Sequence, residues 1–178
     1  GASNTAVGHA SLASNTTGTQ NVSVGYEAFK NGTTGSYCTA IGVSALQAVV
    51  TGNNNTAIGR KAMYDNTSGA DNTAVGNAAL GNNTTGDNNT AVGMNALVDN
   101  TTGADNVAVG SGCLDANTTG NDNVAVGRLA LEFNTTADDN VAIGFIAMRY
   151  NTTGTYNTAV GRNALDANTT ASYNTAVG

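Results

Sequence analysis

Short apolar bursts alternate with polar turns along this chain, and the alternation repeats every seventeen residues. One unit, Asn89 to Asp105, carries the pattern Asn-(Thr/Val)-Ala-(Val/Ile)-Gly-x-x-Ala-Leu-x-x-Asn-Thr-Thr-Gly-x-x. Its first burst alternates at period two, which puts Thr90 and Val92 on one face of an extended segment and Ala91 on the other. The second burst centres on Ala96-Leu97 and predicts a second strand-like piece. Gly93 and Gly103 mark the corners, where positive φ or close backbone approach is needed. The register never slips: Gly8, Gly25, Gly42, Gly59, Gly76, Gly93, Gly110, Gly127, Gly144, Gly161 and Gly178 are separated by ten intervals of seventeen residues.

A fixed period of this kind is the signature of a solenoid, and seventeen residues are too few for a pair of helices. The expected fold is all-β: a parallel β-solenoid, or β-roll, forming a single repeat domain over residues 1–178. Coils stacked at about 4.8 Å make ten steps into a rod of about 48 Å and turn each position of the repeat into a ladder. The Thr column admits Val22, Val107, Val124 and Val141, and the Val column admits Ile41, Ile58 and Ile143, so both read as packed, β-branched positions. The column Leu12, Phe29, Leu46, Met63, Leu80, Leu97, Leu114, Leu131, Met148 and Leu165 contains nothing polar. At about 25 cal/mol per Å² so thin a coil barely offsets its own ordering entropy, so the expectation is that this ladder is buried between chains in a symmetric ring of rods.

Eleven in-phase copies of (Thr/Val/Ser)-(Ala/Ser)-(Val/Ile)-Gly, ten of them followed by the Ala-Leu burst or its variants, resemble the head repeats of trimeric autotransporter adhesins. They also resemble repeats of phage tail fibres and of fibre-like bacterial surface proteins. The resemblance covers the whole chain and implies a left-handed parallel β-roll assembled as a homotrimer. The seventeen-residue period, with its Asn-Thr-Thr-Gly turn, is longer than the typical adhesin-head unit and favours the fibre variants. The implied role is adhesion or receptor binding, through a cell-surface receptor or glycan, in an extracellular, cell-surface or virion setting. A purely structural shaft and an ice-binding rod are the alternatives.

Composition narrows the field further. Net charge is −6 and the six basic residues are scattered, so no basic stripe exists for a phosphate backbone and nucleic acid is not expected as a partner. No apolar run approaches the ~20 residues that span a bilayer, so no direct membrane insertion is expected, and no signal-peptide pattern opens the chain. Gly1-Ala2-Ser3 and the ending in mid-repeat suggest a segment of something larger.

Catalysis is not expected, because His9 is the only histidine and the usual triads and metal–His sets cannot be assembled. His9 reads as an exposed side chain, with a threefold ring of His9 around an ion as the alternative. Cys38 and Cys113 occupy different columns more than four coils apart, roughly 20 Å, which excludes an intrachain disulfide and favours buried small residues, with interchain bonding as the alternative. No cofactor is expected. Asp105, Asp122 and Asp139 share a column with Asp71, at about 5 Å spacing, and form a candidate calcium site against the plain reading of solvated turn acids.

Two asparagine ladders stand out. One runs from Asn4 to Asn174, broken by Cys38, and predicts stacked amides. The other comprises Asn15, Asn66, Asn83, Asn100, Asn117, Asn134, Asn151 and Asn168, which also match the glycosylation sequon. Adjacent threonine columns, beginning at Thr16 and Thr17, motivate the ice-binding alternative, although neither has a partner Thr two positions along the coil. The candidate receptor-facing residues are the variable ones: Tyr26, Arg60, Arg128, Phe145 and Arg162 after the glycine corner, and Tyr64, Phe133 and Tyr150 after the Leu position. Tyr37, Tyr156 and Tyr173 precede the first asparagine ladder. Aromatic residues beside polar groups suit stacking on sugar rings.

Overall fold

The computed structural model describes residues 1–48 and 50–178. It contains eleven three-residue strands: β1 (Thr5–Val7), β2 (Val22–Val24), β3 (Thr39–Ile41), β4 (Thr56–Ile58), β5 (Thr73–Val75), β6 (Thr90–Val92), β7 (Val107–Val109), β8 (Val124–Val126), β9 (Val141–Ile143), β10 (Thr158–Val160) and β11 (Thr175–Val177). They form one parallel sheet in sequential order, each strand paired in register with the residues seventeen positions away, as in Thr73 with Thr90 and Ala74 with Ala91. The chain is a parallel β-solenoid of seventeen-residue coils with no helix among the described residues.

Each coil has one strand rather than two. The Ala-Leu burst is a turn, because its backbone is left-handed: Asn95 has φ 55° and Leu97 φ 53°, and the same two columns repeat this from Ala10 and Leu12 to Asn163 and Leu165, save that Gly112 takes the first position in its coil. The sequence alternation fails there because a left-handed residue reverses the chain instead of extending it. A third left-handed column precedes the first asparagine ladder and includes Asn88, Asp105 and Tyr156. Hydrogen bonds still pass from coil to coil through these turns, as in Leu97 N–H to Cys113 O at 2.9 Å and Thr101 N–H to Thr118 O at 2.9 Å. The ladder therefore continues around the contour, which is how so many short strands stay in line.

The two glycine corners differ. Gly93 has φ 135°, and a Cβ there would lie 2.5 Å from Gly110 O, so the corner needs both the conformation and the space. Gly103 has no positive φ, contrary to one of the two reasons offered for it by the sequence; close approach to Asn100 and Gly120 accounts for it. Ala137 and Ala171 occupy the same column, so close approach favours glycine there without requiring it.

The core is a thin column inside one chain. Ala91, Ala96 and Leu97 are fully buried, with their equivalents through the middle of the rod, while the end coils are more open: Ala6 is exposed, and Ser11, Leu12, Leu165 and Ala176 are partly so. This corrects the expectation that the Leu ladder is buried between chains: left-handed φ folds Leu97 back into its own coil against the alanines. The strand is also turned the other way from a packed β-branched pair. Its alanine faces inward, while the Thr/Val and Val/Ile columns face out, with Ile58 37% and Ile143 41% exposed. Phe29 enlarges the core locally and takes the room of a ladder asparagine: a Cβ at Gly32 would lie 2.1 Å from its ring.

Because the Leu column is the single chain's own core, Leu97→Ala is expected to cost about 2–5 kcal/mol. Val92→Ala, on the outer face, is expected to cost the isolated chain under about 1 kcal/mol, since little area is covered there. Urea unfolding of the two variants measures the contrast.

Candidate functional site

Two amide ladders brace the interior and limit where chemistry occurs. In the first, Asn89 accepts the N–H of Asn106 on Oδ1 at 3.1 Å and donates through Nδ2 to Gly103 O at 2.8 Å, so each side chain joins neighbouring coils and closes a turn. In the second, Asn100 donates to Asn83 Oδ1 at 2.9 Å and to Gly103 O at 2.9 Å. Asn66, Asn83, Asn100, Asn117, Asn134 and Asn151 are fully buried, so these sequon asparagines offer no accessible amide for a sugar.

Cys38 and Cys113 are free, buried thiols. Burial pushes the Cys113 thiol up to about 12 and raises that of Cys38 as well, which keeps both as poor nucleophiles. Cys38 Sγ approaches Gly52 O at 3.5 Å where an asparagine would donate an N–H, and the thiol presents no amide oxygen to the next coil.

The acid column has a local explanation. Asp105, Asp122 and Asp139 have φ 58°, 56° and 59°, a backbone that Asp and Asn tolerate better than most residues. Desolvation raises the Asp122 carboxyl, with Asp105 and Asp139 adding repulsion. No group of three or more His, Cys, Asp or Glu side chains able to hold a metal is present among the described residues. His9, in the first coil, stacks on Tyr26 with ring centroids 5.2 Å apart.

The sequence-predicted surface residues fall into separate strips. After the glycine corner, Phe145 lies between Arg128 and Arg162, whose guanidinium carbons are 5.8 and 5.4 Å from its centroid. Tyr26 and Arg60 belong to the same column but stand coils away. Tyr64 takes the Lys61 ammonium at 5.0 Å and is half-buried, one position out of the column of Phe133 and Tyr150. Phe133 and Tyr150 stack at 5.5 Å with planes 12° apart. Arg149 lies 5.4 and 5.2 Å from their centroids and pairs through Nε with Glu132. Beside them is an open groove of about 580 Å³ that includes Ala116, Thr152, Ala167 and Thr169. Tyr156 and Tyr173 form a third stack at 5.1 Å, and the charge of Asp139 raises the Tyr156 hydroxyl.

Comparison with protein-family models, with curated proteins and with solved structures finds no match for this chain.

Asp115 adjoins this aromatic strip, and its carboxyl is pushed up to about 6 by desolvation, then by Asp99 and Glu132. The folded state thus binds its proton more tightly than the unfolded chain, so this group's unfavourable contribution appears as pH rises from about 3.8 through about 6. Discounted for its solvent exposure, Asp115→Asn is expected to stabilise the chain at neutral pH by about 1 kcal/mol and to flatten stability across that window. Cys38→Asn, which completes the first ladder, is expected to add about 1 kcal/mol at any pH. Thermal unfolding of both variants between acid and neutral pH checks the two effects separately.

Proposed function

We propose that this chain is a non-enzymatic segment of an extracellular or virion-borne trimeric fibre, of the kind found in autotransporter adhesin heads and phage tail fibres, used for adhesion or receptor binding. The observation that carries the reading is the outer face of the sheet. Its Thr/Val and Val/Ile columns present an unbroken β-branched strip from Thr5 to Val177, with residues such as Val109 and Ile143 left exposed on a single chain. Contiguous apolar surface of this length is characteristic of a protein contact, and identical rods related by a closed rotation cover it from end to end. The contact proposed is thus the sheet face, while the Leu ladder stays within each chain. Aromatic strips on other columns then repeat once per chain, so weak binding of a cell-surface receptor or glycan gains avidity where all copies engage.

One observation favours a second reading. The same face carries Thr39, Thr56, Thr73, Thr90 and Thr158, whose hydroxyls have no hydrogen bond to protein among the described residues, each two positions from a Val or Ile. The face thus carries one hydroxyl column beside an apolar column, not the second Thr that the Thr16 and Thr17 columns also lack. It suits ordered water on an uncovered face, as an ice-binding rod requires.

The two readings compete for one surface and predict different masses. Light scattering of the fibre is expected to give three times 17.6 kDa, with Val92→Asp and Val126→Asp together shifting it to one chain. A monomeric wild type overturns the trimer, and inhibition of ice recrystallisation by that monomer establishes the second reading.

A further inference from the structure

The geometry points to a binding site for a neutral carbohydrate ring at the Phe133–Tyr150 stack. The inference deepens the adhesion reading and rests on it for biological setting, though its chemistry is local. The column holding these rings reads Asp99, Ala116, Phe133, Tyr150, Ala167 along successive coils. Coil spacing of about 4.8 Å falls within the ~4.5–7 Å centroid separation of offset-stacked rings, so residues on consecutive coils stack, as Phe133 and Tyr150 do nearly parallel. On either side of the pair an alanine replaces the next ring. The groove extends over Ala116 and Ala167, so the column contains ring-sized slots next to an aromatic stack. Phe133 is 38% and Tyr150 44% exposed, and Ala167 stands in their column on the next coil.

The surrounding polar groups select the occupant. Arg149 uses Nε for Glu132, and its terminal nitrogens have no other protein partner among the described residues, leaving donors beside the rings. Thr152 donates its hydroxyl to Thr169 O at 3.0 Å, so its oxygen remains free to accept. A pyranose fits this set: its C–H face lies on the Tyr150 ring, and its hydroxyls meet both donors and acceptors at the edge. Flat aromatic compounds match the slot but leave the polar rim unused. Asp115, Glu132 and Asp166, in the adjacent column, outnumber Arg149, which disfavours an anionic sugar.

Saturation-transfer NMR on the intact chain tests this, with methyl β-D-glucopyranoside, methyl β-D-galactopyranoside, methyl α-D-mannopyranoside and the anionic methyl α-sialoside as probes. The expected result is transfer to at least one neutral glycoside and none to the sialoside. Tyr150→Ala should weaken binding about tenfold or more. Ala167→Tyr, which fills the slot with a third ring and follows the stacking already present, should abolish it. Tyr173→Ala, on the other aromatic column, should leave it unchanged. Absence of transfer to all three neutral glycosides, or transfer undiminished in Ala167→Tyr, overturns the site. Chain mass is measured in parallel, so a monomer that still binds glycoside defeats the fibre reading alone, and a trimer that does not defeats the site alone.

Discussion

Each coil is held by hydrogen bonds to the coils on either side, and the seventeen-residue register follows from them. A bond such as Thr90 N–H to Asn106 O, at 2.8 Å, joins residues sixteen apart, and Gly93 N–H to Val75 O runs eighteen back the other way. One inserted residue would displace every later partner and leave buried amides unmet, at about 1–3 kcal/mol for each such group. Insertions are absent over ten intervals for that reason. The same constraint makes the asparagine ladders necessary, since the turn carbonyls of Gly86, Gly103 and Gly120 point inward and need donors. Asparagine is short enough to reach its own turn while passing an amide contact to the neighbouring coil.

With the contour tied in this way, the interior has room only for two alanines and one larger residue per coil. Leu97 and its equivalents fill it from left-handed backbone, and the outward strand face is left to Thr, Val and Ile. A small core stacked many times differs from a globular one in that stability accumulates from neighbour contacts along one axis. End coils lack one neighbour, and Val177 and Tyr173 are accordingly among the most exposed large side chains.

The variable columns carry whatever recognition the rod performs, because they alone escape the register. Stacking on consecutive coils turns isolated aromatic substitutions into continuous platforms, as with Phe133 and Tyr150 or Tyr156 and Tyr173. A column position changes nothing inside the coil, so a surface strip of this kind is free to vary while the scaffold stays constant. Arginine and lysine beside these rings gain cation–π contacts that also hold the platforms in place.

Period, parallel stacking, the stacked asparagine amides and the separation of the two cysteines within one chain were all determined by the sequence alone, since identical spacing forces identical coils and each column's chemistry is visible in its substitutions. The Ala-Leu burst misled because composition does not report φ: at Leu97, 53° turns an apparent strand into a reversal. That one backbone choice moved the Leu ladder inside the chain and exposed the Thr/Val and Val/Ile faces, exchanging the packed and unpacked surfaces. Likewise Tyr64 and Phe133 both follow a Leu-column residue, yet only a fold that fixes side-chain columns sets Phe133 against Tyr150 with alanine gaps beside them. Such neighbours are seventeen residues apart along the chain and one coil apart in space, a distance that stacking alone decides.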